Sequence, residues 1–159
     1  MEEKKQNLKI DHISFQLGMI NCFAEMVASG VKKLALSPPF LPEDYKKIEN
    51  ASKDIVSGFN IKFYLEKSLL ITDLQNEDFT KGKWSILYYK KDEVLEKYFE
   101  LKRVKEELQS DGHYDKAAGT EVSRDFMRLL SYPEENIEEI LSRPNPKSPY
   151  MLIDKNGID

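Results

Sequence analysis

The sequence predicts an α+β, or small α/β, fold: a mixed sheet of about four strands covered by helices, followed by a helical C-terminal third. Three observations predict it. Residues 12 to 29 carry apolar side chains around most of a helical circumference. Between residues 31 and 89, short apolar runs of strand character alternate with helical or polar stretches. Beyond residue 92 the apolar residues recur every three or four positions, the period of helices packed on one face.

The first helix has a start and a stop. Asp11 can accept from a free first-turn amide, and Gly30 can take the left-handed conformation that ends a helix. At about 100° per residue, Ser14, Gly18, Asn21, Glu25 and Ser29 gather in one narrow polar stripe. The rest of the circumference holds Ile13, Phe15, Leu17, Met19, Ile20, Cys22, Phe23, Met26 and Val27. Such a helix needs cover on several sides.

Val31 to Ser37 reads as a short strand stopped by Pro38 and Pro39, which cannot donate to a ladder. Pro42 suits the first turn of a second helix, with Glu43 and Asp44 favourable against its dipole and Gly58 as its end. Ile61, Phe63 and Leu65 alternate with Lys62, Tyr64 and Glu66, the period of a strand with one buried face. A strand, helix, strand order of this length predicts parallel strands joined by a right-handed crossover. Leu69 to Leu74 reads as a further strand forming a hairpin, residues 75 to 83 as a loop, and Trp84 to Tyr89 as the last strand.

From Asp92, Leu95, Tyr98, Phe99, Leu101, Val104 and Leu108 mark a long helix ending at Gly112. Ala117 to Leu130 continues helical spacing as one bent helix or two short ones, because Gly119 interrupts it and Thr120 offers a cap. Pro133 opens a last short helix with Ile137, Ile140 and Leu141 as its contacts. Prolines at 144, 146 and 149 then predict an extended tail over 144–159, after a single globular domain over 1–143. No internal repeat is present.

Composition narrows the function classes. The 28 acids and 24 bases are interleaved and sum to −4, which offers no basic footprint for nucleic acid. No apolar run is long enough to span a membrane, and the charged start MEEKKQNLK lacks the apolar core of a secretory signal. Cys22 is the single cysteine, so no intrachain disulfide forms and a reducing, cytoplasmic location is expected. No motif for a metal or cofactor is present, and none is expected.

Few residues suggest chemistry. His12 and Gln16 lie one turn apart within the apolar arc of the first helix, and polar groups in such a place need partners. They are the candidate polar pair of a small-ligand pocket, against a plainer reading in which His12 faces solvent and Gln16 bonds nearby backbone. Asp73 is in phase with Leu69 and Ile71, which makes it a third candidate ligand-binding residue. Glu66, placed near the hairpin turn, is too far away to pair with it. Ser37 precedes prolines and acids, a poor phosphate cradle; His113 lies between Asp111 and Asp115 without metal-ligand spacing behind it; Cys22 is mid-helix and reads as a small hydrophobe. The aromatic stretch from Trp84 to Phe99 reads as packing rather than a stacking platform.

With no catalytic constellation, the leading expectation is a non-catalytic module that binds a small ligand or a protein. The alternatives are an enzyme using His12 and Asp73 as acid and base, and an oligomer-forming subunit in which a second copy covers the first helix.

Overall fold

The computed structural model describes residues 10–75 and 77–147. Its order is α1 (His12–Ala28), β1 (Leu34–Leu36), α2 (Pro42–Phe59), β2 (Lys62–Glu66), α3 (Glu77–Thr80), β3 (Ser85–Tyr89), α4 (Asp92–Ser110), α5 (Lys116–Leu129) and α6 (Glu134–Leu141). The fold is α+β. Among the described residues its sheet has three strands, not about four, in the order β1-β3-β2, with β3 antiparallel to both neighbours.

β1 and β2 therefore run parallel, as the crossover through α2 requires, but β3 lies between them instead of their pairing directly. Leu36 opposes Leu87 on one side of β3, and Tyr64 opposes the same residue on the other. The sequence SILYY explains the insertion, since all five residues are buried and a nearly unbroken apolar run suits a strand covered on both faces.

The two faces have separate cores. Ala35, Ile86 and Tyr88 pack against Ile20, Ala24 and Val27 of α1 and Ile48 and Val56 of α2. Leu34, Leu87 and Tyr89 pack against Val94, Tyr98 and Leu101 of α4 and Val122, Phe126 and Leu129 of α5. The expected cover of the sheet by α1 and α2 is thus present, with a second layer opposite. On α1, the polar stripe Ser14, Gly18, Asn21, Glu25 and Ser29 is exposed as its pattern predicts. Asp11 caps this helix by accepting from Ser14 N at 2.9 Å.

The missing strand is the segment from Leu69 to Leu74. Its backbone bonds run to side chains or to a local turn rather than to a neighbouring strand: Leu70 N donates to the Tyr98 hydroxyl at 2.9 Å, Thr72 N to Gln75 Oε1 at 3.0 Å, Lys105 Nζ to Ile71 O, and Gln75 N to Thr72 O at 3.1 Å. Leu70 and Leu74 are buried by packing against helices. An apolar run whose amides and carbonyls are satisfied in this way has no need of a ladder.

Other boundaries also moved. α2 continues through Gly58 and ends at Asn60, which takes the left-handed conformation (φ 52°). The expected loop over 75–83 contains the single turn α3. α5 is one helix, opened by Asp115 accepting from Ala118 N at 2.8 Å, with Gly119 inside its first turns. Arg124 and Arg128 of α5 reach Glu138 and Glu134 of α6 at 2.7 Å, while Ile137 and Ile140 bury beneath them with Leu74 and Met127. Beyond α6 the chain turns and bends to Lys147. The expected extended tail falls, from 148 onward, outside the described residues. None of the described helices is long and apolar enough to cross a membrane.

Candidate functional site

His12 and Gln16 follow different partners. His12 opens α1 with 45% of its side chain exposed, its Nε2 3.5 Å from Asp44 Oδ2 on α2. Asp44 also holds Lys47 at 2.9 Å, and that hydrogen bond keeps its carboxyl below the usual carboxylate range. Gln16 is buried, with 7% exposure, and its Nε2 donates to the Pro38 carbonyl at 2.6 Å.

Asp73 lies elsewhere, exposed at the start of α5. Its Oδ1 accepts from the Tyr114 hydroxyl at 3.0 Å, and its backbone carbonyl accepts from Lys147 Nζ at 3.0 Å. Burial, and then the Asp73 carboxylate, push the Tyr114 hydroxyl above its usual range. His12 and Asp73 share no contact partner among these groups. Cys22, expected on the apolar arc, is exposed, because it lies only about 40° round the helix from Gly18 on the polar stripe. His113 is exposed as well, and the described residues contain no cluster that could hold a metal ion. Asp115 is occupied as the α5 cap.

Among the described residues, a partly open and mainly apolar cleft of about 160 Å³ lies at one end of β1. Each wall comes from a separate part of the chain. α1 supplies Met19 and Phe23, one and two turns beyond Gln16; Pro38 and Pro39 follow β1; Leu69, Gln75 and Phe79 come from the irregular segment and α3; Phe126, Leu130 and Tyr132 come from α5 and the turn after it. Gln16 does not line this cleft, but its bond to Pro38 fixes one wall. Asp73 stands in the same way behind the segment that forms another.

Besides Tyr132, four polar side chains line this mainly apolar cleft, and three of the four have partners. Ser37 Oγ accepts from Ile86 N at 2.9 Å, and Gln75 Oε1 accepts from Thr72 N. Lys32 is half-buried, donating to Leu130 O at 2.8 Å with its ammonium 4.5 Å from the centre of the Tyr132 ring. Ser85 is 1% exposed, and its hydroxyl has no hydrogen-bond partner among the described residues. Tyr88 also carries an unpartnered buried hydroxyl, but it belongs to the opposite core, near Ser52 of α2, and is not part of the cleft.

A second polar cluster lies beside the cleft, under α4. Glu66 is 3% exposed; its Oε1 accepts from Ser68 N at 2.8 Å and its Oε2 pairs with Lys102 Nζ at 3.0 Å. Burial pushes the nearby Tyr98 hydroxyl well above its usual range. All the groups of this cluster are mutually satisfied, and they anchor the start of the 67–75 segment.

Neither Ser85 nor Lys32 stood out in the sequence. A lone serine opening an otherwise apolar strand was the available signal for the first. Lys32 resembles its solvated neighbour Lys33, and only the return of the chain after α5 distinguishes them. Compared with protein-family models, curated proteins and solved structures, the chain matches none.

Proposed function

We propose that this chain is a non-catalytic small-ligand-binding module, working in the cytoplasm, whose ligand occupies the cleft between α1, the end of β1, the 69–79 segment and α5. The observation that carries this reading is the Ser85 hydroxyl, buried and unpartnered where it lines an apolar cleft. A buried hydroxyl left without a partner costs about 1–3 kcal/mol, and such groups in native folds call for an explanation. A ligand oxygen or nitrogen reaching Ser85 supplies one. In this reading Gln16 and Asp73 are positioning residues that hold two walls, and His12 stays outside the site.

Benzyl alcohol is a suitable first probe. Titrated into isotope-labelled protein at low-millimolar concentration, it is expected to shift the amide resonances of Met19, Leu69, Ser85 and Leu130 together and saturably. Shifts scattered over the surface, or none, would remove the reading. Stability offers an independent check. Ser85→Ala is expected to leave the unfolding free energy unchanged or raise it by about 1 kcal/mol, whereas removing a well-bonded hydroxyl lowers it by a similar amount. Chemical denaturation of the two proteins decides the sign.

One observation favours a second reading, that of an oligomer-forming subunit. Phe15, Met19 and Met26 are half-buried and Cys22 exposed, and they fall on a single stripe of α1. A second copy of the chain would cover it. Sedimentation equilibrium giving a species near 18.5 kDa at micromolar concentration removes this second reading.

A further inference from the structure

We propose that the cleft selects a small monocarboxylate with an apolar body, of about the size of benzoate, whose carboxylate pairs with Lys32 while its body lies between the aromatic walls. This rests on the cleft being a ligand site, and it adds the charge and size of what enters.

The charge follows from the surroundings of Lys32. Lys47, Lys53, Lys62 and Lys102 each meet a carboxylate within 3.0 Å. Lys32 is more buried than the exposed members of that set, yet among the described residues its ammonium meets a carbonyl and a ring face and no carboxylate. An ammonium has three donors, and Leu130 O takes one. Burial also pushes the group below the usual lysine range, a cost that an anion beside it offsets. Lys105 is likewise half-buried against a carbonyl and a ring; Lys32 differs in lying on the wall of an apolar cleft with no carboxylate beside it among the described residues, and such a cation is complementary to an anionic group on an apolar molecule.

The size follows from the volume. About 160 Å³ compares with the roughly 150 Å³ apolar cavity that accepts benzene in an engineered protein. A six-membered ring or a branched chain of similar bulk fits, whereas a nucleotide does not. Phe23, Phe79, Phe126 and Tyr132 offer ring faces and edges to such a body. Ser85, fully buried where Lys32 is half-buried, places a second polar contact deeper in the cleft, so an oxygen on the body of the ligand adds to its binding.

The test compares benzoate, benzyl alcohol and benzylamine by calorimetry and by amide shifts on the whole chain. Benzoate is expected to bind at least about tenfold more tightly than benzyl alcohol, since its carboxylate adds a direct charge–charge attraction to the half-buried ammonium that a neutral hydroxyl lacks. Benzylamine is expected to bind least. Lys32→Met should abolish the preference for benzoate over benzyl alcohol, and Lys32→Arg should retain it. Equal binding of benzoate and benzyl alcohol, or a preference for benzylamine, overturns the carboxylate inference and leaves the cleft as a neutral pocket. Absence of cleft shifts with all three probes removes both readings. Should Lys32→Met fail to fold, the relative affinities on the unaltered protein still decide the matter.

Discussion

Replacing Lys102 by methionine is expected to lower the unfolding free energy by about 3 kcal/mol, toward the lower end of the range for breaking a buried ion pair. Glu66 lies beneath α4 with almost no solvent contact, and Lys102 is its one cationic partner among the described residues. Methionine keeps most of the length and bulk of the lysine stem, so the change isolates the charge. What remains is a buried carboxylate bonded to Ser68 N, with the Tyr98 hydroxyl beside it. Because 19% of the Lys102 side chain is exposed, water moderates the loss. The double variant Glu66→Gln/Lys102→Met is expected to recover most of it, since removing both charges removes the desolvation penalty together with the attraction. Urea denaturation measures this, provided the slope of the transition is unchanged between variants. A loss below about 1 kcal/mol for the single variant would place the pair with ordinary surface ion pairs. Lys102 also donates to Ser68 O, one residue before Leu69 in the cleft wall. The single variant should therefore weaken benzyl alcohol binding as well as stability.

Gly119→Ala is expected to change sign with the residue at position 73. In an exposed helix interior alanine gains about 1 kcal/mol over glycine. Here a Cβ at position 119 would fall on the Asp73 carboxylate, 2.9 Å from its Cγ and closer still to Oδ2. Asp73 has too short a side chain to step aside without giving up its bond from Tyr114. In the parent protein the substitution is expected to cost about 1 kcal/mol net, because overpacking of this kind costs roughly 1–3 kcal/mol and the helix gain offsets part. In an Asp73→Ala background the obstruction is gone, and the same substitution should stabilise by about 1 kcal/mol. The double-mutant cycle therefore carries a coupling of about 2 kcal/mol. Additive effects would show that Asp73 does not rest on α5 in solution. Because Asp73 supports the segment that includes Leu69 and Gln75, both single variants should also perturb the cleft resonances.

Much of the fold was legible for local reasons. The polar stripe of α1, the Asp11 cap, Pro42 at the start of α2 and the charge-rich period of α4 all depend on neighbours within a few residues. Leu69 to Leu74 was misread for an equally physical reason. An apolar run of six fits a strand, but its backbone is satisfied by Tyr98, Lys105 and Gln75, two of which lie some thirty residues later in the chain. β3 was recognised as a strand, yet its place between β1 and β2 depends on covering both of its faces at once. Of the candidate site residues, Gln16 is buried and donates to the Pro38 carbonyl, as the plainer reading of a bond to backbone has it. His12 is a first-turn residue facing Asp44 and solvent. Asp73 meets Tyr114 and Gly119, more than forty residues later in the chain.

The sequence by itself determined the helices other than the single turn α3, and that the chain mixes them with a small sheet; of the cover expected around α1, only the stripe of Gln16, Ile20, Ala24 and Val27 is fully buried. Periodicity and capping act over a few residues and are written into the chain directly. Only the tertiary structure decided the strand order, the irregular course of residues 67 to 75, and the meeting of Ser85 with Lys32 around one cleft. These depend on which distant groups satisfy a buried amide, hydroxyl or charge, and that is settled by the packing of the whole chain.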